Sequence, residues 1–341
     1  MALQHSVKTW LITGIAGFIG SNLLERLLAM GQNVVGLDNF STGHRHNLEE
    51  VRELVGENAW KRFQFIEGDI SNASDCQKAC HSVDYVLHQA ALGSVPRSIE
   101  DPLGTHQSNV DGFINMLIAA NHAKIKCFVY ASSSSVYGDD PTLPKQELVT
   151  GRLLSPYAAT KHIDEIYADV FARSYGIKCI GLRYFNVFGP RQDPNGAYAA
   201  VIPRWINELL RGKIPSIHGD GETSRDFCYI DNVVQANLLS AETENMEEST
   251  QVFNIAAGHR TTLNELFALI QENLAAYDAN VRTIVPIYCP FRPGDVRHSH
   301  ADISKARNLL GYEPIYDVTR GLRETVKWFA DRYKTSKVFE R

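Results

Sequence analysis

Residues 9–20, TWLITGIAGFIG, followed by residues 21–28, SNLLERLL, form the stretch whose reading decides the fold. The apolar run at 9–13 reads as a buried strand, and it leads directly into glycines at 14, 17 and 20. Apolar residues then recur at 19, 23, 24, 27 and 28, the spacing of one helix face. Gly14 permits the tight turn, Gly17 lets the backbone come close to a pyrophosphate, and Gly20 lets the helix pack on the strand. The helix start offers unpaired N–H groups and a positive dipole end to phosphates. Asp38 ends the next strand, 18 residues beyond Gly20. A carboxylate there hydrogen-bonds adenosine ribose hydroxyls and repels a 2′-phosphate, so NAD is expected rather than NADP. Asp69-Ile70 ends a further strand and reads equally as an adenine contact or as a helix N-cap.

Outward from this unit the same alternation continues. Residues 33–37, 63–67, 85–88, 127–131 and 179–183 read as strands, with helical patterns at 18–30, 109–120 and 155–174 between them. Such alternation implies an α/β protein, a Rossmann-like doubly wound parallel sheet covered on both faces, with ligands at the carboxyl ends of its strands. After residue 184 the pattern loosens around prolines 190, 194, 203 and 215. The expected division is an NAD-binding domain over 1–183 and a smaller α/β substrate domain over 184–341, with late segments returning to the first.

The chain has 341 residues, 44% hydrophobic and 21% charged, with a net charge of −5. That balance gives no electrostatic reason to expect nucleic acid or an anionic membrane as partner. The first residues show no charged region followed by a long apolar run, and no segment has the length of a membrane span. The six cysteines are scattered and form no metal-ligand cluster, so a cytoplasmic chain with reduced thiols and no metal is expected.

Tyr157 and Lys161 are four apart within the helical pattern at 155–174, so they share one face. An ammonium beside a phenol favours phenolate and makes a general base able to take a proton from a hydroxyl. Ser155-Pro156 fits the start of that helix. Upstream, a strand ends in Ser132, Ser133, Ser134 and Ser135, whose hydroxyls at a strand's carboxyl end would face the cofactor cleft.

With these residues in place, the sequence resembles the extended short-chain dehydrogenase/reductases, and within them the nucleotide-sugar 4-epimerases. The motifs carrying the resemblance are GIAGFIG, LDN, HQAA, SSSSVYG, YAATK, LRYFNVFGP, SRDFCYIDNV and RPGDVRHSHAD, spread over nearly the whole chain. It implies Ser133 and Tyr157 as the acid/base pair, Ser134 and Ser135 beside the sugar, and Lys161 on the nicotinamide ribose. NAD would lie against Gly14, Gly17, Phe18, Ile19, Gly20, Asp38, Asn39, Ser41, Thr42, Gly43, Asp69, Ile70, Gln89, Ala90, Ala91 and Asn109. Tyr157, Lys161, Tyr184, Asn186 and Val187 complete that set. The UDP-sugar would meet Gly93, Ser94, Arg97, Asn186, Ala200, Val201 and Ser299, with Arg225 and Arg292 clamping the diphosphate and Asp295 on the nucleotide ribose. Guanidinium groups suit phosphate oxygens because they bond in pairs. For Ile202 and Trp205, in the same stretch as Ala200 and Val201, a core role is expected.

Dehydrating and decarboxylating relatives carry acids beside the strand-end hydroxyl, where this chain has Ser134, Ser135 and Val136. The chemistry implied is therefore reversible oxidation at C4. Ser299 stands where glucose-restricted members carry a bulky tyrosine, which leaves room for an N-acetyl group. The resemblance thus points to UDP-GlcNAc and UDP-GalNAc. The corresponding uronic acids are the alternative, their carboxylate answered by Arg97 or His300. A non-enzymatic NAD-binding protein would not need both Tyr157 and Lys161. The resemblance also implies a homodimer built through two helices of the first domain, the candidates being 109–120 and 155–174.

Overall fold

The computed structural model describes residues 6–195, 199–244, 250–291 and 296–339. Its first half builds β1 (Thr9–Thr13), α1 (Phe18–Ala29), β2 (Asn33–Asp38), α2 (Arg45–Trp60), β3 (Phe63–Glu67), α3 (Ala73–Ala79) and β4 (Tyr85–His88). Two short helices, α4 (Val95–Glu100) and α5 (Pro102–His106), lead through a π turn (Gln107–Asp111) into α6 (Gly112–Ala123). Then come β5 (Cys127–Ser133), α7 (Pro156–Tyr175) and β6 (Cys179–Tyr184). The helix expected at 109–120 thus begins after a wider turn and runs three residues further.

Six of these strands and a late one, β11 (Thr250–Ile255), form a seven-stranded sheet, ordered β11-β6-β5-β4-β1-β2-β3 and parallel throughout. The order reverses between β1 and β4, the switch point at which such sheets open a ligand crevice. Each face of the sheet has its own core. Trp10 and Ile12 belong to one apolar cluster with Leu23 and Leu27 of α1, while Leu11 belongs to another with Met116 and Leu117 of α6. A strand buried on both faces has no reason to alternate, which is why TWLIT reads as a continuous apolar run.

The second half supplies β7 (Val187–Phe188), α8 (Val201–Leu210), β8 (Ser216–His218), β9 (Ser224–Arg225), β10 (Cys228–Tyr229) and α9 (Ile230–Glu242). It continues through β11 (Thr250–Ile255), β12 (Thr261–Thr262), α10 (Leu263–Leu274), β13 (Ile287–Cys289), α11 (Ser304–Leu310) and α12 (Val318–Phe339). Strand β11 returns to the large sheet beside β6, and the remaining strands pair as β7 with β10, β9 with β12 and β8 with β13. Ile202 and Trp205 of α8 are each 1% exposed, as their core reading implied. No helix among the described residues is long and apolar enough to cross a membrane.

Candidate active site

The loop after β1 shapes the first cavity. Gly14 has φ +68°, a left-handed conformation natural to glycine, and a Cβ on Gly20 would overlap the Gly14 carbonyl oxygen. Gly17 caps α1 without any side-chain bond, and the first turn of α1 carries no acid. The amides of that turn are therefore left to an anion. Asp38 is 8% exposed, and its carboxylate accepts Ala16 N at 2.8 Å and Phe40 N at 2.7 Å. Burial pushes this carboxyl up, against the pull of those backbone bonds. Asp69 accepts Ser71 N at 2.8 Å and Asn39 Nδ2 at 2.7 Å. Burial raises its carboxyl, but the bonds from Ser71 and Asn39 outweigh it and hold it below its ordinary value. The N-cap of α3 is Asn72, whose side chain accepts from Ser74 N, so Asp69 does not serve as that cap.

These groups line a cavity of about 320 Å³ at the switch point. Its walls hold Gly14, Gly17, Phe18, Ile19 and Gly20, then Asp38, Asn39, Ser41, Thr42 and Gly43, then Asp69, Ile70, Gln89, Ala90 and Ala91. Gly93 lines it as well. Glycine closeness, a buried acid and an unblocked helix start together fit a dinucleotide.

Next to it, a cleft of about 630 Å³ is lined by Ser94, Ser133, Ser134, Ser135, Tyr157, Asn186, Arg225 and Ser299. Ser94 and Ser299, 205 positions apart, thus meet on one surface. Ser133 caps a 3-10 turn, and its Oγ accepts Ser135 N at 3.2 Å. Ser135 Oγ is buried without a partner among the described residues, a hydroxyl in need of a ligand's hydrogen bond. Tyr157 sits in the first turn of α7, whose N-cap Ser155 accepts Ala158 N at 3.1 Å, with Pro156 following it. Ser299 N donates to Ser224 O at 3.0 Å. Asp226, fully buried, accepts Ala257 N at 3.0 Å and Ala301 N at 3.3 Å and so ties down the segment carrying Ser299. Asn186 and Arg225 also line an adjoining cavity of about 150 Å³ that contains Val201.

Other expected residues lie off these surfaces. Lys161, one turn after Tyr157 on α7, is buried, with Nζ donating to Asp164 Oδ2 at 3.2 Å. Asn109 accepts Leu92 N at 2.7 Å and donates to Thr160 Oγ1 at 3.0 Å, pinning the loop after β4 to α7. Tyr184 donates to Gln89 Oε1 at 3.1 Å and accepts from Asn237 Nδ2 at 2.9 Å, behind the cavity. Val187 lies in β7 and Ala200 caps α8. Arg97 on α4 and His300, whose Nε2 faces Gly258 O at 3.1 Å, are not among the cleft's lining residues. Arg292 and Asp295 fall outside the described residues.

Among the polar and charged side chains of this cleft wall, sequence reasoning missed Tyr137, Lys145 and His298. Lys145 Nζ pairs with Asp140 Oδ2 at 3.1 Å, both side chains under a tenth exposed. Only the YG of SSSSVYG hinted at Tyr137, and no local spacing marks the other two.

This fold and this pair of cavities define a dinucleotide-dependent enzyme with a hydroxyl-lined cleft. Residues 10–256 match the NAD dependent epimerase/dehydratase family, and the chain belongs to that family and is NAD-dependent. A UDP-glucose 4-epimerase of Mycolicibacterium smegmatis is 37% identical over 94% of this chain and 98% of its own length. A UDP-N-acetylglucosamine 4-epimerase of Methanobrevibacter ruminantium, solved with UDP-N-acetylmuramic acid, superposes with a TM-score of 0.87 at 40% identity, covering 96% of this chain and 100% of that one. The UDP-glucuronic acid 4-epimerase of Bacillus cereus, solved with UDP-glucuronic acid and NAD, gives 0.83 at 31% identity over 95% of this chain and 100% of that one.

Proposed function

We propose that this enzyme is a UDP-N-acetylhexosamine 4-epimerase, interconverting UDP-GlcNAc and UDP-GalNAc through a 4-keto sugar. The observation carrying the reading is the make-up of the cleft: Tyr157 and Ser133–135 line it, and among the described residues no carboxylate does. A hydroxyl can be oxidised and restored there, but no acid stands ready to abstract a proton from the neighbouring carbon, as dehydration or decarboxylation would need.

Bound between Asp38 and the α1 start, NAD supplies reversible hydride acceptance at C4 of the sugar. Tyr157 takes the C4 hydroxyl proton as that carbon is oxidised and returns it as the other face is reduced. Ser133 donates to the same oxygen and steadies the ketone. Lys161 holds the ribose side of the cofactor, and Asp38 the adenosine hydroxyls. Arg225 and Arg292 hold the diphosphate, with Val201 and Asn186 nearby.

Ser299 supports the N-acetyl substrate, because a small side chain at the cleft wall leaves space at C2. The uronic acid forms are the second reading, favoured by Lys145 in the cleft wall. The charge of Lys145 is already met by Asp140, so a neutral sugar is the better fit. In this reading the chain divides into domains near residue 184 and works as a homodimer. The exposed apolar side chains Ile118 on α6 and Ile166 and Val170 on α7, with Leu103 on α5 packed against α7, would form the dimer's seam.

Incubating the purified protein separately with UDP-GlcNAc, UDP-Glc and UDP-GlcNAc uronic acid, with products followed by NMR, tests this. UDP-GalNAc should be the dominant epimer, and Ser299→Tyr should lose it while sparing UDP-Glc turnover. Equal turnover of UDP-Glc and UDP-GlcNAc by the unaltered chain would refute the role given to Ser299.

A further inference from the structure

Asp164 is a carboxyl group that the scheme above does not use. It lies one helical turn beyond Lys161 on α7, with its side chain 1% exposed and that of Lys161 3% exposed. Oδ2 accepts from Lys161 Nζ at 3.2 Å, and Oδ1 is buried without a partner among the described residues. A half-satisfied carboxyl in an interior costs folding free energy that an apolar side chain of similar size would not. An ammonium has three donors in tetrahedral array. With one of them held by Asp164 from the core side, the directions of the other two are set.

The groups around this pair are electrically quiet. From β4, His88 is driven down to about 3 by burial and by the charge of Lys161, so its imidazole is neutral. From β5, burial holds the Tyr130 phenol far above its ordinary value, and from β6 the Cys179 thiol likewise. Arg183 of β6 and Glu165 of α7 neutralise each other through bonds of 2.9 and 2.8 Å. The net charge of this layer therefore depends on Lys161, Asp164 and His162, whose Nδ1 faces Glu165 Oε2 at 3.8 Å. Burial pushes the Asp164 carboxyl up to about 7, against the pull of Lys161.

We propose that Asp164 is a positioning residue for the active site: it anchors Lys161 from the core side and, through its own charge, sets how much of the lysine's positive field acts on Tyr157 and the cofactor. The inference rests on the epimerase reading. As Asp164 ionises, it cancels the field of Lys161, so alkaline pH should blunt the lysine's assistance to proton transfer.

The test compares the NAD-loaded wild type with Asp164→Asn and Asp164→Leu, reading kcat, KM and NAD retained after gel filtration. In the wild type, kcat should fall about threefold as pH rises through neutrality. Asp164→Asn keeps an acceptor at the same place without the charge. Its kcat should stay level over that range, with KM and NAD content unchanged. Asp164→Leu removes the anchor. Its kcat should fall about tenfold at every pH, with KM within about twofold of wild type and NAD partly lost on the column. An Asn variant with the wild-type pH profile overturns the proposal, and it decides the matter alone if the Leu variant does not fold. A wild type inert toward every UDP-hexose would sink the epimerase reading, whereas an active wild type with an unaltered Asn variant would sink only this inference.

Discussion

Replacing Gly20 with alanine would drive a Cβ into the Gly14 carbonyl, a backbone atom that cannot turn aside. Helix α1 would have to lift from β1, at a cost of about 1–3 kcal/mol. Purified Gly20→Ala should melt several degrees lower and carry less NAD, both readable by calorimetry and absorbance. Tyr157→Phe removes a single oxygen from the cleft wall and should cut turnover by about 10²–10⁴-fold with the melting temperature unchanged. The glycines, Asp38, Tyr157 and the serines were legible in the sequence because each belongs to a short motif with a mechanism attached. Lys145, His298 and Asp164 were not. The first two reach the cleft through contacts with residues distant in the chain, such as the backbone bond from Lys145 N to His300 O at 2.8 Å. Asp164 sits among ordinary helix residues, and only its burial singles it out.

Among the elements, α7 does the most. It is tied to the sheet by Glu165, which accepts from Arg183 of β6 and from Ser132 Oγ of β5 at 2.5 Å. Burial alone would raise this carboxyl, but bonds from Arg183, His162 and Ser132 hold it down to about 2. A carboxyl depressed in the fold contributes stability that is complete above its unfolded value near 4.5 and is lost as pH falls toward 2. Glu165→Gln leaves a buried guanidinium uncompensated and should cost about 3–5 kcal/mol at pH 7. In acid the difference between wild type and variant should shrink, and denaturant melts at pH 7 and pH 3 would measure it. Strands β1 to β6 and helices α1, α6 and α7 were readable from periodicity, with ends shifted by a few residues. The two- and three-residue strands of the second half were not, since a strand that short carries no period and exists only through its partner.

For the molecule as a whole, strand-helix alternation was enough to expect a doubly wound parallel sheet. Strand β11 forms the edge of that sheet beside β6. Nothing in residues 250–255 alone names that neighbour, because the pairing spans a gap of some 70 residues. The exposed apolar residues on α5, α6 and α7 argue for pairing with a second copy. Light scattering should give a mass of two chains for wild type and of one for Ile166→Glu combined with Leu103→Glu. A wild type that stays monomeric at tens of micromolar would remove the dimer from the account. The central claim is reversible oxidation at C4 of a UDP-sugar within a closed site, and the fate of the hydrogen on that carbon tests it most directly. With UDP-GlcNAc deuterated at C4, the account predicts that the UDP-GalNAc formed in ordinary water keeps its deuterium at C4. Loss of the label to solvent, or no UDP-GalNAc at all, would contradict it.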